Sequence, residues 1–97
     1  MKKQAIVINE KDNVATCVDH FNIGSKIHYF IGGKEETLQL KNNIPLGHKV
    51  AIRPIAKGQE VIKYAEVIGT ATFDINVGEH VHVHNIESRR GRGDLNS

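Results

Sequence analysis

The sequence has no tryptophan, a single cysteine, few aromatic residues and no long apolar run. With aromatics at 5%, any core must be built from aliphatic side chains, and isoleucine and valine supply most of that bulk. Both favour strands, because a branched Cβ packs well on a pleated surface. One cysteine, Cys17, excludes an internal disulfide, so a reducing, cytoplasmic setting is the simpler expectation and Cys17 reads as a small core residue. The apolar stretch Ala5-Ile-Val-Ile8 is too short for a signal-peptide core and far too short to span a bilayer, so no membrane partner is expected. A strong charge of one sign is also missing. A net charge of +2 is too small to argue for nucleic acid. The three arginines near the end have no aromatic residues beside them on which bases could stack, so no nucleic acid is expected. The Arg92-Gly-Asp94 triplet carries no argument for adhesion.

What is present suits one small domain. A chain of 97 residues hides about two-thirds of the surface its unfolded form exposes, enough for a core but not for a deep cavity. Residues 1–86 are expected to form the domain and the polar, Arg/Gly-rich residues 87–97 a flexible tail. Ala5–Ile8 and Asn13–Val18 read as short strands. Ile27–Ile31, then Gly32-Gly33, then the alternating Glu36-Thr-Leu-Gln-Leu40 is a hairpin signal, with Leu38 and Leu40 inward. No segment reads as a long helix. The fold class is therefore mostly β, with many short strands and tight turns.

A local pattern recurs four times: an apolar residue, two others, Gly, two others, then an apolar residue. It covers Phe21 to Ile27, Ile44 to Val50, Ile55 to Val61 and Ile75 to Val81. The spacings of 23, 11 and 20 residues are too irregular for a solenoid. One turn device used four times is the better reading, with Gly taking a backbone angle that other residues avoid.

Gly78-Glu-His-Val-His-Val-His-Asn85 holds three of the six histidines. On a strand, His80, His82 and His84 would share one face and Val81 and Val83 the other, packed face. Same-face neighbours lie about 6.6 Å apart and next-nearest ones about 13 Å. Adjacent pairs can therefore meet at one metal ion, whereas His80 and His84 need a bend. Further ligands would come from His48, His28, Asp74 or a second chain. Imidazole alone does not fix the ion. A solvated polar strand face remains the alternative. Lys49 and Arg53 have the same parity and are expected to share a face, with Lys63 and Tyr64 on the next strand; cations facing a cleft would bind carboxylate or phosphate. No Ser–His–Asp arrangement or paired carboxylates stand out.

The order of segments Ile44-Pro-Leu-Gly-His-Lys-Val-Ala-Ile52, Ile55 to Tyr64, Val67-Ile-Gly-Thr-Ala71 and Ile75 to Asn85 resembles the SAF-type domain of the altronate/galactarate dehydratase family, a hydro-lyase group that includes sulfolactate sulfo-lyase. The resemblance implies a small β-clip fold. It also implies a role as small subunit of a sugar-acid dehydratase, inactive alone and completed by a large catalytic subunit, with a divalent metal, Fe2+ or Mn2+, bound by this chain or only in the complex. The family signature falls on Val81, His82, Val83, His84 and Asn85, the Gly-His-Lys segment on Gly47, His48 and Lys49, and the Lys-Tyr pair on Lys63 and Tyr64. Ala65 departs from it, since relatives usually carry Gly after the Tyr. His82, His84 and Asn85 are thus the expected catalytic residues. His82 and His84 are suited to acid–base work or metal ligation, and Asn85 to orienting a histidine or donating to a hydroxyl. His48, Lys49 and Lys63 are expected to bind the sugar-acid substrate. A homo-oligomer in isolation is left open. So is a different class, in which a SAF-type module binds a carbohydrate acid or supports assembly without chemistry.

Overall fold

The repeated turn organises the fold. In the computed structural model, which describes residues 3–88, the four turn glycines all take positive φ: Gly24 at 89°, Gly47 at 82°, Gly58 at 89° and Gly78 at 92°. Each makes the same reciprocal bonds. The glycine N–H donates to a carbonyl on a neighbouring strand, and that residue's N–H donates back to the carbonyl just after the glycine. The partners are Leu40 for Gly24, Cys17 for Gly47, Ala71 for Gly58 and Ala51 for Gly78. Each partner sits four residues before the anchor of another copy, so the copies pair off, first with second and third with fourth. Bridges between Phe21 and Ile44 and between Ile55 and Ile75 close the two pairs. The irregular spacing in sequence is thus a regular arrangement in space.

Between the turns run nine short strands among the described residues: β1 (Ala5–Ile6), β2 (Val14–Cys17), β3 (Lys26–Ile31), β4 (Lys34–Gln39), β5 (Lys49–Ala51), β6 (Glu60–Lys63), β7 (Glu66–Ala71), β8 (His80–Val81) and β9 (Ile86–Ser88). They form a six-stranded sheet ordered β4-β3-β1-β2-β5-β8 and a three-stranded sheet ordered β6-β7-β9. No helix occurs among the described residues, so none is long and apolar enough to cross a membrane. The mostly-β expectation holds. β9 takes in Glu87 and Ser88, which the sequence reading placed in the tail. The rest of that tail, including Arg92-Gly-Asp94, lies outside the described residues.

Two cores follow from the two turn pairs. One gathers Ile27, Leu38, Leu40, Ile44, Val50 and Cys17, with Phe21 packed against it. The other gathers Val14, Ala51, Ile55, Val61, Ala71, Ile75 and Val81. β2 and β5 serve both, because successive side chains point to opposite faces: Val14 and Ala51 enter the second core, and Ala15 and Val50 the first. The largest fully buried side chains include Ile27, Ile44, Ile55 and Ile75, all ends of the turn device. Each contributes about 1.5–3 kcal/mol by leaving water. Leu38 and Leu40 point inward as expected.

The two hairpins share a turn geometry. Ile31 pairs with Lys34 around Gly32-Gly33, and Lys63 pairs with Glu66 around Tyr64-Ala65. All four central residues have positive φ, at 57° and 80° in the first turn and 53° and 67° in the second. This is the hairpin turn whose twist matches the strands. The second turn has no glycine and is held from outside. Asp12, fully buried, accepts the Ala65 N–H at 2.7 Å, and its other oxygen accepts those of Ile8 at 3.1 Å and Asn9 at 3.2 Å.

Candidate functional site

β8 ends at Val81, and residues 82–85 turn. The expected strand over His80–His84 is therefore cut short. Val81 is buried in the second core, but Val83 is 78% exposed instead of packing beside it. Asn85 is the reason. Its Nδ2 donates to the His80 carbonyl at 2.9 Å, its Oδ1 accepts the His82 N–H at 3.0 Å, and its own N–H returns to the His82 carbonyl at 3.0 Å. Asn, a residue whose side chain competes readily for backbone groups, closes the turn. Asn85 is 8% exposed, and its amide is spent on the backbone that carries the histidines.

The bend gathers the rings by a route strand alternation does not offer. His48 follows Gly47 and enters from the second turn, beside β8, because Val50 pairs with His80 and Lys49 with Val81. Its Nδ1 lies 2.9 Å from His80 Nε2. Ring centroids are 4.1 Å apart for His48 and His82 and 5.6 Å for His80 and His82. The exposed His84 reaches back to 5.1 Å from His80. The ligand nitrogens of His48, His80 and His82 all lie within 4.8 Å of one another. Of the expected metal pair, His82 belongs to this group and His84 does not. His80, the other neighbour that the spacing allowed beside His82, completes it with His48. His28 is engaged with Glu35 at 2.8 Å, and Asp74 accepts the Lys57 N–H at 2.9 Å, so neither joins.

Burial, and secondly the neighbouring charge of His84, push the His80 imidazole down to about 4. Burial and then His48 also hold His82 below the usual imidazole range. Both rings are therefore neutral at pH 7, the form in which imidazole binds metal. His82 Nδ1 is buried with no partner, an orphaned acceptor or donor that a ligand would satisfy. Bonds of about 2.0–2.1 Å to one ion place adjacent ligand nitrogens roughly 3 Å apart, which the His48–His80 separation matches. The residues present therefore fit a divalent metal, without choosing which.

Beside the cluster lies an open cleft of about 650 Å³, lined by Lys49, His82 and Glu66 and by the apolar Val67, Ile68, Val83 and Ile86. Burial, then the ammonium of Lys63, lowers the Lys49 pKa. Lys63 lies 5.0 Å over the Tyr64 ring. Arg53 does not share this face. It lies past the end of β5, where the chain bends, donates to the Glu10 carbonyl at 2.7 Å and lines a separate hollow with Lys34.

This architecture and cluster define a class. The profile of the altronate/galactarate dehydratase SAF domain matches residues 3–89, and the chain belongs to that family. Among its relatives, (2R)-sulfolactate sulfo-lyase subunit alpha of Chromohalobacter salexigens is 38% identical over 88 residues, covering 87% of this chain and 94% of that one. Altronate dehydratase of Bacillus subtilis is 34% identical over 86 residues, covering 89% of this chain but 16% of that one. Altronate dehydratase of Escherichia coli is 40% identical over 82 residues, again covering 16% of its length. The chain thus spans about one-sixth of the dehydratases and nearly all of the sulfo-lyase subunit.

Proposed function

We propose that this chain is the small subunit of a cytoplasmic lyase of the altronate dehydratase type, acting on a sugar acid or a related 2-hydroxy acid within a complex with a large subunit. The observation that carries this reading is the convergence of His48, His80 and His82, with His82 and Lys49 on the wall of an open cleft. A wall needs an opposite side, and the match along 94% of a sulfo-lyase subunit alpha supports a separate partner chain.

Eliminating water or sulfite beside a carboxylate requires removal of a weakly acidic C–H proton and help for the leaving group. Bound by His48, His80 and His82, a divalent ion such as Fe2+ or Mn2+ would act as a Lewis acid toward substrate oxygens. Lys49 offers an ammonium to the carboxylate, whose charge rises in the transition state. His84, exposed at the edge of the cluster, would exchange a proton with a leaving group. Asn85 is a positioning residue that holds the His80 and His82 backbone.

Reconstitution with the large subunit tests the reading. His82→Ala is expected to abolish turnover of a panel of sugar acids and sulfolactate, with the complex still assembled. Normal turnover would remove the cluster from the chemistry.

A further inference from the structure

β8 is the last strand of the six-stranded sheet and pairs with β5 on one side. Residues 39–42, which follow β4, cover its other side. The Lys41 N–H donates to the Gly78 carbonyl at 2.8 Å, and the Gln39 carbonyl stands where a Cβ on Gly78 would be. Asn42 extends this contact with its side chain: its Oδ1 accepts the His80 N–H at 2.9 Å. The His80 carbonyl is taken by Asn85 Nδ2, also at 2.9 Å. Both backbone groups of His80 are therefore bonded to asparagine side chains, one 38 residues upstream and one five residues downstream. The ring held this way brings Nε2 to 2.9 Å from His48 Nδ1. The adjacent Asn43 makes the same kind of bond elsewhere. Its Oδ1 accepts the Ile23 N–H at 2.7 Å, in the first glycine turn. Both bonds are exposed, so water can replace either at little cost to folding. Water cannot replace the fixed placement that a tethered side chain gives to the group it binds.

We infer that Asn42 is a positioning residue for the metal: it fixes the His80 backbone so that the ring meets those of His48 and His82 at one ion. β8 is only two residues long, and placement of its histidine therefore falls to the groups around it. A ligand must be held to within about 0.5 Å to bind an ion well. Outer partners that aim a ligand commonly govern metal affinity by roughly 10- to 100-fold. The Asn42 oxygen is spent on the His80 backbone, so it acts through that histidine and not as a ligand itself. This deepens the proposed function and rests on it for the presence of an ion at the cluster.

The test is a Co2+ titration of the full-length chain, followed by visible absorption, which reads affinity and ligand geometry together. Asn42→Ala is expected to weaken Co2+ binding about tenfold and, without metal, to quicken hydrogen exchange at the His80 amide. Asn42→Asp keeps the accepting oxygen and should bind Co2+ as the unaltered chain does, with the same spectrum. Asn43→Ala loses a comparable bond at Ile23 and should keep its affinity. Tight Co2+ binding by Asn42→Ala, equal to that of the unaltered chain, would overturn the inference. Equal weakening by Asn43→Ala would also overturn it, by showing a general loosening of the fold. Failure of Asn42→Asp to restore binding would do the same. Retained amide spectra elsewhere in the chain show that the variants are folded. An unaltered chain that takes up no Co2+ would overturn the metal site of the proposed function and this inference with it. Uptake that every variant shares equally would overturn the inference alone, so the two failures are separate results.

Discussion

The two halves of the molecule use the same parts, a pair of glycine turns and a two-residue hairpin, but secure them differently. In the first half every strained backbone position is a glycine. Gly24 and Gly47 have open space where a Cβ would stand, and the hairpin turns on Gly32-Gly33. In the second half Tyr64 and Ala65 occupy the same left-handed conformation without that freedom, and a Cβ at Gly78 would strike the Gln39 carbonyl of the first half. The first half is therefore locally specified, while the second depends on contacts from outside itself, chiefly Asp12 and Gln39. That dependence locates the site. Gly78 seats against the first half, and two residues later His80 meets His48.

The sharpest way to break the comparison is at the glycines. Gly78→Ala combines a left-handed strain of about 1–2 kcal/mol with overpacking of about 1–3 kcal/mol. It should destabilise far more than Gly24→Ala, which carries the strain alone. Urea midpoints of the two variants decide this, and equal shifts would show that the halves are secured alike. Next is Asp12→Ala, which strands three backbone donors and should cost about 3 kcal/mol. Hydrogen exchange should quicken at Ile8, Asn9 and Ala65, while the Gly32-Gly33 turn is unaffected.

Metal sharpens the contrast between histidines. Mn2+ at a hundredfold excess over its Kd should add about 2.7 kcal/mol of stability. His48→Ala should cancel the rise in Tm, whereas His28→Ala, on the β3–β4 hairpin, should leave it intact. In chelator, acid should expose the same cluster. His80 titrates near 4 in the folded chain and at about 6.5 unfolded, so the unfolded state binds the extra proton between those values. Stability is full above the unfolded value, falls as pH drops from about 6.5 toward 4, and then levels. His80→Gln should flatten that slope in thermal melts across this range. The smallest effect is a gain: Ala65→Gly relieves left-handed strain and should stabilise the second hairpin by about 1 kcal/mol.

Much of this was legible in the residues. Leu38 and Leu40 alternate inward, Gly32-Gly33 marks its hairpin, and the four glycine turns stand out because a backbone angle restricts residue type locally. The histidine stretch was legible as a cluster but not as a geometry. Alternation put Val83 in the core and aligned Lys49 with Arg53. Both failed where the strands end, Val83 at the Asn85 turn and Arg53 at the bend beyond β5. Asp12 and Thr16 carried no signal, because a carboxylate or hydroxyl in a polar stretch reads as solvated until a fold buries it.

By itself the sequence determined a strand-rich domain, its recurrent turns, its family and a concentration of imidazoles near residue 82. Each is a property of neighbouring residues, written in backbone preference and apolar spacing. Only the tertiary structure decided that His48 joins His80 and His82, that a turn without glycine is held by Asp12, and that Lys49 stands beside Thr16. Those pairs lie 32, 53 and 33 residues apart along the chain, and such distances are closed only when two cores form around the shared strands β2 and β5.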